Sequence, residues 1–355
     1  MTISAFTFLA PGTIQASVVI RPRAAEVQTA VDRSAVMRLP FAAGHVAVHW
    51  AGHPEATVAI SLSSDGNDFG PPTDVGRDEV GEHRGDGETY GAILPGRGAT
   101  SARVTSDRAI GRISVLVLAD GERVVEERRV PASAGGAVAQ PPIVSRAQWG
   151  ADESLRFRGK KEVWPPTFHP VQKLIVHHTA GQNADPNPPA TIRSIYYYHA
   201  ITQRWGDIGY NFLIDEAGTI YKGRHSHTTV KTSATANDDT LDGENASGHG
   251  VTAGHSYGFN AGTVGVALLG TLSVDPPTPA AEGALERFLA WKAGKHGLPA
   301  EGESVYTNPV NGDQKLLANI TAHRDVSATE CPGEALYAML PQIRRDVALL
   351  MASSP

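Results

Sequence analysis

Cysteine occurs once in the 355 residues, at position 331. A single thiol excludes an intrachain disulfide framework and leaves a buried apolar role, reactivity or metal ligation as reasons for its presence. Long apolar runs are missing too, and no stretch approaches the roughly 18 uninterrupted apolar residues that a membrane-spanning helix needs. Blocks of like charge are lacking: the net charge of −6 is spread evenly along the chain, which excludes nucleic acid as a partner. The opening "MTISAFTFLAPGTIQASVV" has neither a basic n-region nor a continuous apolar h-region, so no signal peptide is read there. The HExxH helix of many metallopeptidases is also absent.

What is present divides in two, as the length predicts. Residues 1–129 carry short strand-like runs such as "HVAVHW", "ATVAISLS" and "RISVLVLAD", set between Gly, Pro and Asp clusters, and predict an all-β, sandwich-like domain. The first lysine of the chain is Lys160, a shift in composition that supports a boundary. Residues 130–142, "VPASAGGAVAQPP", are uncharged and rich in Pro, Ala and Gly, and predict a linker between separable units. From residue 143 to 355 strand candidates ("KLIVHHT", "NFLIDE", "TIYKG", "TVGVALLG", "NITAH") alternate with three helical patterns, which predicts an α/β domain with a mixed central sheet flanked by helices. The polar stretch between Arg224 and Thr263 has no helical or strand period and predicts a functional loop that gates a groove.

The chemistry gathers at the ends of these strands. Zinc takes nitrogen and sulfur ligands, and a catalytic site leaves one vertex open, so the His177-His178 doublet, His323 and Cys331 offer a sufficient set. Pro332, Gly333 and Glu334 read as a helix start, with Pro at the first helical position, which would favour the thiolate. His178 should point to the opposite strand face from His177. Tyr210 before "NFLI", Arg224 at the end of a hairpin and Asn260 before "TVGVAL" all lie where strand ends border a cleft. His225, His227 and His249 are irregularly spaced and read as solvated loop residues.

From "VSRAQWGADES" at residue 144 to the last helix near 353, the chain resembles the peptidoglycan recognition proteins and the zinc-dependent N-acetylmuramoyl-L-alanine amidases related to them. The resemblance is carried by "LIVHHTAG", "YYHAITQRWGDIGYNFLIDEAGTIYKGR", "GHSYGFNAGTVGVALLG" and "AHRDVSATECPG", in that order. It implies one zinc held by His177, His323 and Cys331, at the floor of an L-shaped groove. It also implies Tyr210 and Thr329 as catalytic residues and His199, His255 and Asn260 as muropeptide contacts, with Arg224 counted beside them by its place. The implied activity is hydrolysis of the amide between N-acetylmuramic acid and L-alanine, by a secreted or cell-wall-associated protein. The alternative is a non-catalytic peptidoglycan-binding module, but such members typically lack the cysteine ligand. Arg204-Trp205 and His225-Ser226 stand where members that bind diaminopimelate carry Gly-Trp, so no stem-peptide preference is carried over.

Overall fold

The computed structural model describes residues 13–77, 87–130, 138–227 and 239–353. The residues before Thr13, most of the expected linker (131–137) and part of the expected gating loop (228–238) lie outside the described residues.

The first half is β1 (Thr13–Ala30), β2 (Ser34–Ala51), β3 (Val58–Ser63), β4 (Thr73–Asp74), β5 (Glu88–Tyr90), β6 (Leu94–Ser106) and β7 (Arg112–Val130). All strand pairs are antiparallel, in the order β1-β7-β2-β6-β3-β4, with β5 on the end of β2. The all-β expectation is met, but the strands join in one sheet rather than two separate ones. β2 is the reason. Its first half pairs with β6 through Ser34–Arg38, its second with β7 through His45–Ala51, and the register shifts between Arg38 and Ala43. Such irregularities bend a strand. The sheet therefore folds over one core, in which Met37 and Leu39 from the first half of β2 join Val46, Val48 and Trp50 from the second, with Ile60, Val104 and Val115.

The second half contains β8 (Ile143–Val144), β9 (Phe157–Arg158), β10 (Lys161–Glu162), β11 (Phe168–His169), β12 (Lys173–His178), α1 (Pro188–Tyr197), β13 (Phe212–Ile214), β14 (Ile220–Lys222), β15 (Gly250–Val251) and β16 (Thr263–Leu268). After these come α2 (Pro279–His296), β17 (Glu303–Thr307), β18 (Gln314–Ala318), β19 (Ile320–Ala322) and α3 (Glu334–Ala352). The central sheet runs β19-β12-β16-β13-β14-β8. Only the β13–β14 hairpin is antiparallel, so the sheet is mixed, as expected. α2 is bounded by its own sequence: the Thr278 hydroxyl accepts from Ala281 N–H, Pro279 occupies the first turn, and Gly297 closes the helix at φ 63°. α3 starts at Glu334 with Gly333 as its cap, so Pro332 precedes the helix instead of opening it.

Strand alternation sorts the side chains onto two faces. Leu174, Val176, Val264, Val266, Phe212 and Ile214 pack with α2 and α3. Leu213, Ala267 and Tyr221 on the other face pack with Ile192, Ile195 and Tyr196 of α1, and this cluster runs on into Ala47, Tyr90, Ile93, Leu116 and Leu118 of the first half. Arg193 reaches Asp120 with two hydrogen bonds, Nε to Oδ1 at 3.1 Å and Nη2 to Oδ2 at 2.9 Å, and His45 bonds Thr191 at 3.0 Å. An apolar cluster thus spans the two units that the sequence reading separates.

The polar stretch is also more structured than its composition predicts. From Asp239 onward it folds back, with β15 paired to β11 and bridges joining His227 to Asp239 and Glu244 to Gly250. Glu244 is buried against Lys292, Lys295 and His296. Burial alone would raise its carboxyl, but His296 and Lys292 overcome that and bring it down to about 2. Packed ion pairs of this kind are scaffold, and any gating element is confined to a shorter segment than the whole stretch between Arg224 and Thr263.

Candidate metal centre

β12 delivers His177 to the α1 face, while His178 points away and accepts Leu272 N–H at its Nδ1, 3.1 Å. β19 ends at Ala322, and a single turn, His323–Asp325, brings His323 beside His177 with ring centroids 4.6 Å apart. Asp325 fixes that turn by accepting from Ala322 N–H at 2.8 Å, Thr321 Oγ1 at 2.7 Å and Tyr337 Oη at 2.8 Å. The loop then returns Cys331 to the end of β12, where its Sγ takes the His178 N–H at 3.4 Å. One donor atom each from His177, His323 and Cys331 falls within 4.8 Å of the others, and all three residues are buried.

Hydrogen bonding determines which nitrogen of His177 faces the cluster. The Thr263 hydroxyl donates to Phe259 O at 2.6 Å, so toward His255 Nε2, at 3.3 Å, it acts as acceptor. His255 therefore carries its proton on Nε2, and its Nδ1 accepts the Nε2–H of His177 at 3.0 Å. The lone pair of His177 is left on Nδ1, 3.6 Å from Cys331 Sγ. Burial, followed by the neighbouring His323, holds His177 well below the ordinary histidine range, and the same causes bring His255 down to about 3, so both are neutral near pH 7. Two imidazoles and a thiol in one buried cluster match the donor preference of zinc, with the outer partner that metal-binding histidines require already in place.

The other expected site residues fall into two groups. Tyr210 lies beside the cluster, its ring 5.8 Å from that of His177 and 5.9 Å from that of His199. His199 occupies a π-helical turn (Tyr198–Thr202) that continues α1; its Nδ1 accepts Gly209 N–H at 3.0 Å and its ring lies over Trp205. Thr329 is half-buried and accepts Cys331 N–H at 3.1 Å, so its backbone partner is the ligand itself. Arg224, in contrast, is fully buried, with Asp207 at 2.6 Å, the Trp164 carbonyl at 2.7 Å and the Trp164 ring 3.9 Å away. It braces loops and presents no surface to a ligand. His255 is equally buried and acts on His177. Asn260 accepts Ser256 N–H at 2.7 Å and shapes the turn that carries His255. His225, expected in solvent, is buried beside the Arg146, Asp207 and Arg224 network.

Sequence reasoning missed the Thr263 relay, although a signal was present. Gly265 interrupts an otherwise apolar strand, and a Cβ there would stand 2.3 Å from the His255 ring. A lone glycine inside a strand marks such a close approach.

The mixed sheet and its buried His-His-Cys cluster define a candidate single-metal centre on an α/β scaffold. Residues 167–334, just under half of the chain, match the family described as N-acetylmuramoyl-L-alanine amidase. It is 30% identical over 208 residues to a human N-acetylmuramoyl-L-alanine amidase, covering 56% of this chain and 28% of that one. It is 28% identical over 204 residues to bovine peptidoglycan recognition protein 1, covering 56% and 83%. The chain therefore spans under a third of the human amidase and most of the bovine protein. Among solved structures, Drosophila PGRP-LB aligns with a TM-score of 0.39 at 24% identity, over 56% of this chain and 92% of that one. Among the described residues no helix is long and apolar enough to cross a membrane.

Proposed function

We propose that this protein is a zinc-dependent amidase that hydrolyses the bond between N-acetylmuramic acid and L-alanine in peptidoglycan. The observation that carries this reading is the convergence of His177, His323 and Cys331 within 4.8 Å. Zinc held there by His177 Nδ1, His323 and Cys331 Sγ would activate a water and polarise the scissile carbonyl. Tyr210 would donate its hydroxyl to the oxygen on which negative charge develops. Thr329 would orient the attacking water from its place two residues before Cys331. The His255–Thr263 relay would keep the His177 lone pair on Nδ1 throughout. His199, beside Tyr210, would contact the muropeptide. Because the substrate is wall polymer, a secreted or wall-associated location belongs to the same reading.

A non-catalytic recognition module is the competing reading, and the presence of Cys331 weighs against it. Metal analysis of the purified protein and mass spectrometry of digested peptidoglycan test both. The expected result is one zinc per chain and new L-alanine amino termini without new reducing sugar ends. Binding without such products would favour recognition alone.

A further inference from the structure

We propose that the cavity between the sheet of the first half and the end of α1 binds a short peptide with a free amino terminus, its ammonium meeting Glu26 and a carboxylate meeting Arg204 on the opposite wall. Naming that occupant as the peptide freed by cleavage at L-alanine rests on the amidase reading. The cavity has a volume of about 880 Å³. Small-molecule sites fall at roughly 300–1,000 Å³.

Strand register builds one wall, because residues directly opposite each other in a ladder share a face. Gln28, Ser114, His49 and Tyr90 form one row across β1, β7, β2 and β5; Arg112 and Glu88 lie in the next row, and Glu26 beside Leu116 in the row before. The alternate residues, Ile113, Val115, Val48 and Trp50 among them, fill the core beneath. Further along the outer face Ala47, Leu116 and Leu118 pack on α1. The polar rows lie beside that contact and line the cavity.

Glu88 is already matched: it takes Arg112 and stands 3.1 Å from His49 Nδ1, with its side chain only 11% exposed. Glu26 has His49 alone as an ion-pair partner among the described residues, at 3.4 Å from Nε2, and its side chain is 38% exposed. His49 leads the influences that hold Glu26 below the ordinary glutamate range against burial, so it is a carboxylate at neutral pH. The opposite wall is the turn that continues α1, from Ile201 to Arg204. Trp205 N–H and Gly206 N–H tie that turn to His199 O and Ala200 O at 3.0 and 3.1 Å. Arg204 takes φ 57°, in the left-handed region that residues with a Cβ seldom adopt. It is exposed and makes no ion pair among the described residues.

A carboxylate with spare capacity on one wall and an unmatched guanidinium on the other select a ligand carrying both signs. A short free peptide carries both. In uncleaved substrate the L-alanine nitrogen is an amide and bears no charge; hydrolysis frees it as an ammonium. The cavity therefore favours the released peptide over the substrate.

The test is calorimetric titration of the full chain loaded with zinc, using three probes: a tetrapeptide released from peptidoglycan at L-alanine, the same peptide N-acetylated, and free L-alanine. Losing one hydrogen bond to a charged group should weaken binding by about tenfold. Acetylation and Glu26→Gln should each cost that much, and the acetylated peptide should bind wild type and Glu26→Gln alike. Arg204→Ala, on an exposed turn, should weaken both peptides by a similar factor and keeps the test decisive if Glu26→Gln does not fold. Equal affinity for the free and acetylated peptides, or unchanged affinity in both variants, overturns the site. L-Alanine binding as tightly as the tetrapeptide overturns the peptide assignment. Cleavage of peptidoglycan is measured separately on the same wild type. Cleavage without tetrapeptide binding removes the site alone, whereas binding without cleavage upholds the peptide site and removes the amidase reading.

Discussion

His255 Nδ1 accepts the Nε2–H of His177 at 3.0 Å, and this one contact decides that Nδ1 of His177 carries the lone pair beside Cys331. Loss of an outer partner of this kind typically costs about 10- to 100-fold in metal affinity. His255→Ala should therefore weaken zinc binding by that range in chelator competition while His177, His323 and Cys331 all stay in place. His255→Gln, which keeps an acceptor within reach, should recover part of the loss. Unchanged zinc affinity in His255→Ala would mean that His177 is oriented by packing alone.

Glu244 predicts an acid limb in the stability curve. Its carboxyl, normally near 4.5, is brought down to about 2 by His296 and Lys292 against the opposing effect of burial. A depressed folded-state pKa stabilises the fold above the unfolded value, and the contribution disappears as pH falls from about 4.5 to about 2. The shift corresponds to on the order of 3 kcal/mol. Glu244→Gln should lower the melting temperature at pH 7 and flatten its fall below pH 4.5. A variant curve parallel to wild type through that window would remove Glu244 as the cause.

Much of this was legible from the sequence, and the failures share a physical origin. The "LIVHHT" run specifies a buried parallel strand because both faces are apolar, and the period of two then forces His177 and His178 apart. The approach of His323 and Cys331 was readable only through the motif, since the turn held by Asp325 joins residues whose spacing alone carries little information. Burial of Arg224, His225 and Glu244 was not legible. Each is charged or polar and sits in a polar stretch, and only their partners, Asp207 and Lys292 among them, make burial tolerable. Partners far apart in the chain leave no local pattern. The same holds for the core that joins the two halves: its residues alternate correctly in each strand, yet alternation does not say what covers them.

That shared core predicts that the second half depends on the first half. A fragment from residue 138 would uncover the side of the cluster that Ala47, Ile93, Leu116 and Leu118 cover, and would lose the Arg193–Asp120 pair. It should melt lower than the full chain and bind a hydrophobic dye. In the full chain Leu118→Ala, which opens a cavity in that cluster, should cost about 2–5 kcal/mol in denaturant unfolding. A fragment as stable as the full chain would show that the contact is incidental to folding.

Tyr210 separates catalysis from metal binding most cleanly. It stands beside His177 without belonging to the donor cluster, and its ring is fixed between those of His177 and His199. Phenylalanine keeps that ring and removes only the hydroxyl, so Tyr210→Phe should leave zinc occupancy unchanged. If the hydroxyl meets the developing oxyanion, its loss should lower turnover by on the order of 100-fold or more, because such a donor acts most strongly in the transition state. Muropeptide affinity should change far less than turnover. Equal losses in affinity and turnover would assign Tyr210 to ground-state binding. An unaltered rate would leave charge stabilisation to the metal and to the backbone around Cys331.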